Sequence, residues 1–548
     1  MNARHHKIEK LLIANRGEIA LRIQRAASKL GIKTVSIASE ADKDSYFARQ
    51  AEELVIIGPA AVQESYLNIP KILEVAARAG CNAVHPGYGF LSENAQFAQA
   101  VLDAGLIFVG PSPEAIRVLG SKTEARAKAI AAGVPCLPGA KGGLSDTELL
   151  QVASEIGYPV LIKAVGGGGG RGMRTARSAE ELTQALPRAR AEGQKNFGSG
   201  DVFIERYVEH PRHVEVQIFG DMHGKVIHFG TRDCSTQRRH QKLVEEAPAP
   251  NLSAKLRAEI EAAAVHAAAA VGYYNAGTAE FLVKDDAFYF LEMNTRIQVE
   301  HPVTEAVTGV DLVELQLKVA QGEALPLSQQ EVKCNGHAFE FRIYAEDPAN
   351  KFAPAIGTIS HISRVSGADI REDFGFESGD TVTPYYDAML SKLIIHGPSR
   401  AAVVKRSLEV LRRYSVDGLA NNVKFFRWLL LLSPFREAPV DIGFIEREFS
   451  RESLRALEAS EVRDPLHRAP IAGALHRDTF TYRSQSFSAD YSIEVLHRED
   501  GLFEASALDP KGRKIKPKHC RLSNGLKAAL SSLTQEVLEK VSPQELFE

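Results

Sequence analysis

Cysteine is scarce in this chain of 548 residues: Cys81, Cys136, Cys234, Cys334 and Cys520 lie far apart and form no C-x-x-C pair. That spacing argues against a disulfide framework and a sequence-local zinc site, and it suits a reducing cytoplasm. A surplus of one charge is also lacking. Lys and Arg number 66 against 69 Asp and Glu, for a formal net charge of -3, so no global basic field exists to hold a nucleic acid or an anionic membrane. The longest apolar stretch, residues 428–432, falls far short of the roughly 20 residues needed to cross a bilayer. Residues 1–10 are polar and run into an apolar segment without a signal-peptide core. These absences predict a cytoplasmic chain with neither nucleic acid nor membrane as a partner. Internal repeats and low-complexity tracts are missing as well.

What is present is enough apolar content, 44%, to build several cores in three or four units. Residues 10–39 read as strand, helix, strand, one βαβ unit. Its turn, Asn15-Arg16-Gly17-Glu18, holds a single glycine, so the G-x-G-x-x-G of a dinucleotide site is absent and an NAD or FAD reading is rejected. From Ser121 the pattern is helix, loop, helix, and then a strand at 159–164 that empties into glycines. Residues 202–205, 214–219 and 225–229 read as strands of one antiparallel sheet, followed by a helix over 254–271. A helical connector over 445–459 leads to a tail with strands at 480–487 and 491–497 and a last helix near 526–541.

The strongest chemical signal is Lys163-Ala164-Val165-Gly166-Gly167-Gly168-Gly169-Gly170-Arg171-Gly172. Glycines leave backbone N–H groups unobstructed for phosphate oxygens, and Lys163 and Arg171 supply positive charge. It is not a P-loop: Walker A needs Gly-Lys-Ser/Thr in adjacent positions, and Gly120-Ser121-Lys122-Thr123, which only resembles that ending, has no glycine upstream at the required spacing.

Residues 277–294 read as a β-hairpin. With a loop of Asp285 to Ala287, Glu280 faces Glu292, and two opposed carboxylates need a cation between them. Magnesium fits, with Asn294 as a neighbour; a different loop length would leave both glutamates solvated. Downstream, Asn294-Thr295-Arg296-Ile297-Gln298-Val299-Glu300-His301 would, if extended, align Arg296, Gln298 and Glu300 on one side, able to hold a small anion and remove its proton. Residues 232–242 concentrate positive charge and, in isolation, read as an exposed basic loop.

Taken together, Ala14-Asn15-Arg16-Gly17-Glu18-Ile19-Ala20, His85-Pro86-Gly87-Tyr88-Gly89-Phe90-Leu91-Ser92-Glu93-Asn94, the glycine run, residues 232–242 and residues 292–301 resemble biotin carboxylase, in matching order, over residues 7–446. The resemblance implies an α/β and α+β multidomain chain. Its parts would be a Rossmann-like N-terminal domain (1–120), an ATP-grasp region with a C-terminal biotin carboxylase domain (121–446) whose glycine-rich lid spans about 140–208, and a helical connector with a β-rich tail (447–548). It also implies roles. Lys122, Lys163, Gly166, Gly167, Gly168, Gly169, Gly170, Glu205, Val208, His213, Gln237 and His240 would contact ATP, and Glu280, Glu292 and Asn294 would hold Mg2+ or Mn2+. Lys242, Arg296, Gln298 and the Val299 backbone would bind bicarbonate, with Glu300 as its base. Arg342 would stabilise the enolate of the biotin ureido group, with Tyr88 nearby. Tyr344 is bulkier than the Asn often seen in the family.

A biotin carrier presents its lysine in Met-Lys-Met, and none of Met1, Met173, Met222, Met293 and Met389 precedes a lysine. The expectation is therefore a separate biotin carboxyl carrier protein and a separate carboxyltransferase subunit, with this chain a homo-oligomer inside a larger complex. The tail is similar in architecture to the docking domain of acyl-CoA carboxylase α-subunits. An acyl-CoA carboxylase subunit is the leading reading. A pyruvate-type or acetyl-CoA carboxylase subunit, another ATP-grasp ligase and a noncatalytic paralogue are the alternatives.

Overall fold

The computed structural model describes residues 7–140, 142–164, 173–455 and 457, and beyond them the strands of the tail. The chain divides into two units, residues 1–451 and 452–548.

The first unit opens with a parallel five-stranded sheet: β1 (Lys10–Ile13), β2 (Lys33–Ser39), β3 (Leu54–Gly58), β4 (Ala83–His85) and β5 (Ile107–Phe108), in the order β3-β2-β1-β4-β5. Leu11, Leu12, Ile13, Val35 and Ile37 are fully buried, as expected of a parallel sheet covered by helices on both faces. Helix Gly17–Lys29 follows β1 directly, so the predicted βαβ unit forms. Its turn is tied to the His85–Gly89 loop because Asn15 Nδ2 donates to the carbonyls of Pro86 (2.6 Å) and Tyr88 (2.8 Å). Gly87, at φ +64°, is required there, since a Cβ would lie 2.8 Å from Asn15 Nδ2.

A small three-stranded sheet follows, β7-β6-β8, built from β6 (Val160–Ala164), β7 (Arg174–Ala176) and β8 (Val202–Arg206). Helices Asp146–Ile156 and Ala179–Phe197 cover it. Val160, Ile162, Leu149, Leu182, Leu186 and Ile204 form its own core. The sequence reading placed residues 202–205 in the larger antiparallel sheet; they pair instead with β6. Alternation shows that a segment is a strand but not which edge it joins, and Tyr207–Pro211, with His210 at φ +52°, breaks the chain away before the next strand.

The central sheet has eight antiparallel strands. It contains β9 (Arg212–Gly220), β10 (Val226–Arg238), β11 (Gln241–Ala247), β12 (Asn275–Lys284), β13 (Ala287–Asn294) and β14 (His337–Tyr344), in the order β13-β12-β9-β10-β11-β14, continued by strands Met389–Gly397 and Ile370–Phe374. Period-2 alternation gives it two unlike faces. Val214, Val216, Ile218, Ala279 and Phe281 pack on helix Ala254–Ala269 through Leu256, Ile260 and Ala264, each large apolar side chain contributing about 1.5–3 kcal/mol. The opposite face carries His213, Glu215, Gln217, Arg232 and Glu280, all buried. β10 is longer than the predicted 225–229 and includes Arg232 to Arg238. The exposed-loop reading of the basic run therefore fails: only Arg239 and His240, both at positive φ, form a tight turn before β11.

At the end of this unit, helix Phe444–Glu448 is interrupted at residues 449–450 and resumes at 451–455, so the predicted connector is not one helix. The second unit is an antiparallel meander of strands Leu475–Ser484, Phe487–His497, Phe503–Leu508 and Lys514–Ile515. Phe487, read as the end of one strand, begins the next. The predicted helix near 526–541 lies outside the described residues. Among the described residues no helix is long and apolar enough to cross a membrane.

Candidate active site

The polar face of the central sheet is organised by the β12–β13 hairpin. Its turn is Asp285–Asp286, one residue shorter than read from sequence, and it pairs Lys284 with Ala287. An irregularity between the Phe281 and Glu280 pairs then lets Leu291 fall out of register, and Glu280 comes to face Glu292 after all. Burial and the Glu280 charge raise the Glu292 carboxyl above its ordinary range. Glu280 is driven the other way. Despite its burial, Lys242 and His213 hold it well below the usual carboxylate range. Glu280 is buried and Glu292 half-buried, with Asn294 Nδ2 donating to Glu280 Oε1 at 2.9 Å.

Lys242 is the hub. Its Nζ lies 2.6 Å from Glu215, 3.0 Å from Glu280 and 2.6 Å from Glu300. Beneath it Arg232, with no solvent exposure, donates to Glu215 (2.6 Å), Gln217 (2.8 Å), Thr304 (3.0 Å), Thr278 (3.2 Å) and Gln298 (2.6 Å). Gln298 passes its own N–H to Glu280 at 2.8 Å. Charge-assisted bonds of this kind fix every member of the network.

Residues 295–299 are irregular, not extended, and Glu300 stands at the N-terminus of helix His301–Thr308. The helix turns Glu300 inward beside Lys242, whereas Arg296 leaves the row and pairs with Glu93 at 2.9 Å while reaching Asn294 Oδ1 at 3.0 Å. Alternation would have aligned Arg296, Gln298 and Glu300; the structure brings Gln298 and Glu300 together for a different geometric reason and places Arg296 at the edge. The Val299 carbonyl accepts from Lys392 at 2.9 Å.

Arg342, on β14, meets Glu300 Oε2 at 2.9 Å and Glu245 Oε1 at 2.7 Å. Burial opposes ionisation of Glu300, but Lys242, Arg342 and Arg232 outweigh it and keep the carboxyl well below its usual range. It is a charged acceptor held between two cations. Tyr88 donates a short hydrogen bond to Glu18, which also pairs with Lys392 at 3.0 Å. Tyr344 is buried on the same strand two residues after Arg342, and burial pushes its hydroxyl pKa up.

The residues expected to meet nucleotide are spread over the small sheet, the central sheet and helix Lys122–Ala131. Lys163 on β6 and Glu205 on β8 form a short buried ion pair. Lys122 opens helix Lys122–Ala131, and burial lowers its pKa against the pull of Glu292. His213 on β9 contacts Glu280 at 2.9 Å and Gln237 at 3.3 Å. Val208 is half-buried in the link after β8, and His240 is exposed on the β10–β11 turn. Gly166, Gly167, Gly168, Gly169 and Gly170 lie outside the described residues. The sequence reading gave no role to Glu215, Arg232, Glu245, Lys392, Glu18 or Glu93. Glu215 and Gln217 were legible as polar positions alternating with buried valines in one strand; the others become neighbours only through tertiary packing.

Family comparisons agree with this geometry. The descriptions "Biotin carboxylase, N-terminal domain", "Carbamoyl-phosphate synthase L chain, ATP binding domain" and "Biotin carboxylase C-terminal domain" match residues 7–116, 121–328 and 340–447. The biotin carboxylase of Haemophilus influenzae is 46% identical over 443 residues, 80% of this chain and 99% of that one. The mitochondrial methylcrotonoyl-CoA carboxylase subunit alpha of Oryza sativa is 48% identical over 493 residues, 89% of this chain, which spans 66% of that relative's length. The biotin carboxylase–β-γ-ATP complex of Campylobacter jejuni superposes with a TM-score of 0.78 at 42% identity, covering 81% of this chain and 99% of that one. The biotin carboxylase domain of Hydrogenobacter thermophilus 2-oxoglutarate carboxylase, crystallised with MgADP, ADP and bicarbonate, gives 0.77 at 43%, covering 81% and 98%. With three consecutive domain matches and near-complete coverage of a known biotin carboxylase, this chain belongs to the biotin carboxylase family of ATP-dependent ligases.

Proposed function

We propose that the chain performs the first half-reaction of a biotin-dependent acyl-CoA carboxylase, using ATP and bicarbonate to carboxylate biotin presented by a separate carrier protein, with a carboxyltransferase subunit completing the cycle. The observation that carries the reading is Glu300, ionised and clamped between Lys242 and Arg342. A carboxylate so placed is a base for bicarbonate on one side while Arg342 is available to a biotin ureido oxygen on the other. Lys242, Gln298 and Arg296 would neutralise and orient the small anion, and the Val299 backbone is held in place by Lys392. Phosphorylation of bicarbonate brings mutually repelling anions together, so the density of buried cations is what the chemistry demands. Lys163, Lys122, Glu205, Val208, His213, Gln237 and His240 would meet the nucleotide, under a lid carrying the glycine run.

The donor set suits a hard divalent cation. Glu280 and Glu292 face one another, Asn294 would turn its amide oxygen, now engaged by Arg296, toward the ion, and the raised Glu292 carboxyl marks a carboxylate pair short of positive charge. Mg2+ held there would neutralise phosphate charge. His213, Glu215 and Glu280 also bring ligand atoms within 4.8 Å of one another, but Lys242 already balances that group.

The acyl-CoA acceptor is favoured by the methylcrotonoyl-CoA carboxylase relatives and by the strands that follow residue 451. The decisive experiment is ATP hydrolysis by the purified chain with Mg2+. Dependence on bicarbonate and acceleration by free biotin are expected; hydrolysis indifferent to both would overturn the assignment. Identifying the subunits that co-purify with it tests the acceptor.

A further inference from the structure

Behind Arg342 lie two carboxyl groups with no role in the scheme above. Glu245 on β11 and Glu340 on β14 are directly opposite in the antiparallel register, so their side chains share a face at the closest cross-strand spacing. Neither is exposed to solvent. Neither oxygen of Glu340 has a hydrogen-bond partner among the described residues, and neither does either oxygen of Glu245. Glu245 Oε1 is nevertheless 2.7 Å from Arg342 Nε, off the axis of that N–H. Two buried, unsatisfied carboxylates side by side are too costly to keep both ionised.

We propose that Glu245 and Glu340 are a proton-sharing carboxyl pair that positions Arg342 and sets the negative charge around it. Glu340 remains a neutral acid and donates its O–H to Glu245. Glu245 then holds the Nε edge of the guanidinium while Glu300 holds Nη2. When Glu300 accepts the bicarbonate proton and loses its charge, Glu245 is the anion that still fixes Arg342 in place for the ureido oxygen. The proposal rests on the assignment of Arg342 to that oxygen.

The surroundings agree. Burial raises Glu245 to about 7 against the pull of Arg342, and burial raises Glu340 well above the carboxylate range against that of Lys392. The groups facing the pair are Arg342 on β14, Lys392 on strand Met389–Gly397, Lys242 on β11, Glu215 on β9 and Glu300 at the start of helix His301–Thr308. Lys392 is already committed to Glu18 and the Val299 carbonyl. Arg400 is bound to Glu246, the neighbour of Glu245 on β11.

As pH rises the shared proton is lost, a second negative charge appears beside Arg342, and its hold on an enolate oxygen weakens. The test is the pH dependence of KM for free biotin in biotin-stimulated ATP hydrolysis by the full chain. Wild type is expected to show KM rising about tenfold on the alkaline side. Glu340→Gln, which mimics the neutral acid, should flatten that rise, whereas Glu245→Gln should raise KM above about pH 7, where wild-type Glu245 is the anion. A Glu340→Gln profile parallel to wild type overturns the proposal. So does a Glu340→Gln chain that fails to fold, since that position would then require a carboxylate, and so does a Glu245→Gln profile identical to wild type. Absence of biotin stimulation in wild type would instead sink the assignment of the site itself.

Discussion

Two buried ion clusters in the same unit are built on opposite principles. In one, joining helices Gly17–Lys29, His301–Thr308 and Leu312–Ala320 to strand Ile370–Phe374, each acid meets two cations. Glu305 is held by Arg22 (2.8 Å) and Arg371 (2.6 Å), Asp373 by Arg371 (2.6 Å) and Arg25 (2.5 Å), and Asp311 by Arg22 (2.5 Å) and Lys29 (3.1 Å). Although burial opposes it, Arg22 pulls Asp311 below its ordinary range, and Arg371 does the same for Asp373. In the other, around Lys242 and Arg342, carboxylates outnumber their partners. Lys242 faces three, Arg342 two, and Glu292, Glu245 and Glu340 are raised. A balanced cluster pins elements together; an acid-rich one is built for a divalent cation, protons and anionic substrates to come and go.

That contrast can be broken. Glu300→Gln should lower biotin carboxylation by about 10²–10⁴-fold while nucleotide affinity, read by ligand titration, stays near wild type; equal loss of both would make Glu300 structural. Lys242→Ala leaves three carboxylates facing each other without their shared cation and should cost about 3–5 kcal/mol in denaturant unfolding as well as activity. Arg22→Ala should cost about 3 kcal/mol, because Arg371 and Lys29 partly remain, yet leave KM for ATP unchanged. A matching loss of catalysis would erase the distinction between the clusters. The smallest effect is a pH slope. The folded Glu245 carboxyl binds its proton more tightly than the unfolded one, so its contribution is present below about 4.5 and is lost as pH rises through about 7. Glu245→Gln should make unfolding midpoints fall less across that window.

Among individual elements, the first βαβ unit and the helix Ala254–Ala269 were legible because apolar spacing alone defines them. Gln298, Glu300, Lys242 and Arg342 were legible through motifs, and the structure brings them within one network. The extended geometry read for residues 294–301 does not form, because the segment is irregular and Arg296 pairs with Glu93 at its edge. The Glu280–Glu292 pairing was read correctly with the wrong turn, since a shorter loop and a register irregularity cancel.

Local chemistry in the chain determined which segments alternate, where glycines open the backbone, and which residue types gather in motifs. Strand order was decided only in three dimensions. It sent residues 202–206 to the small sheet, buried a basic run in the central one, and set Glu245 beside Glu340. The physical reason is that periodicity records which face of a strand is apolar, whereas the neighbour across each edge is fixed by backbone pairing between residues tens of positions apart.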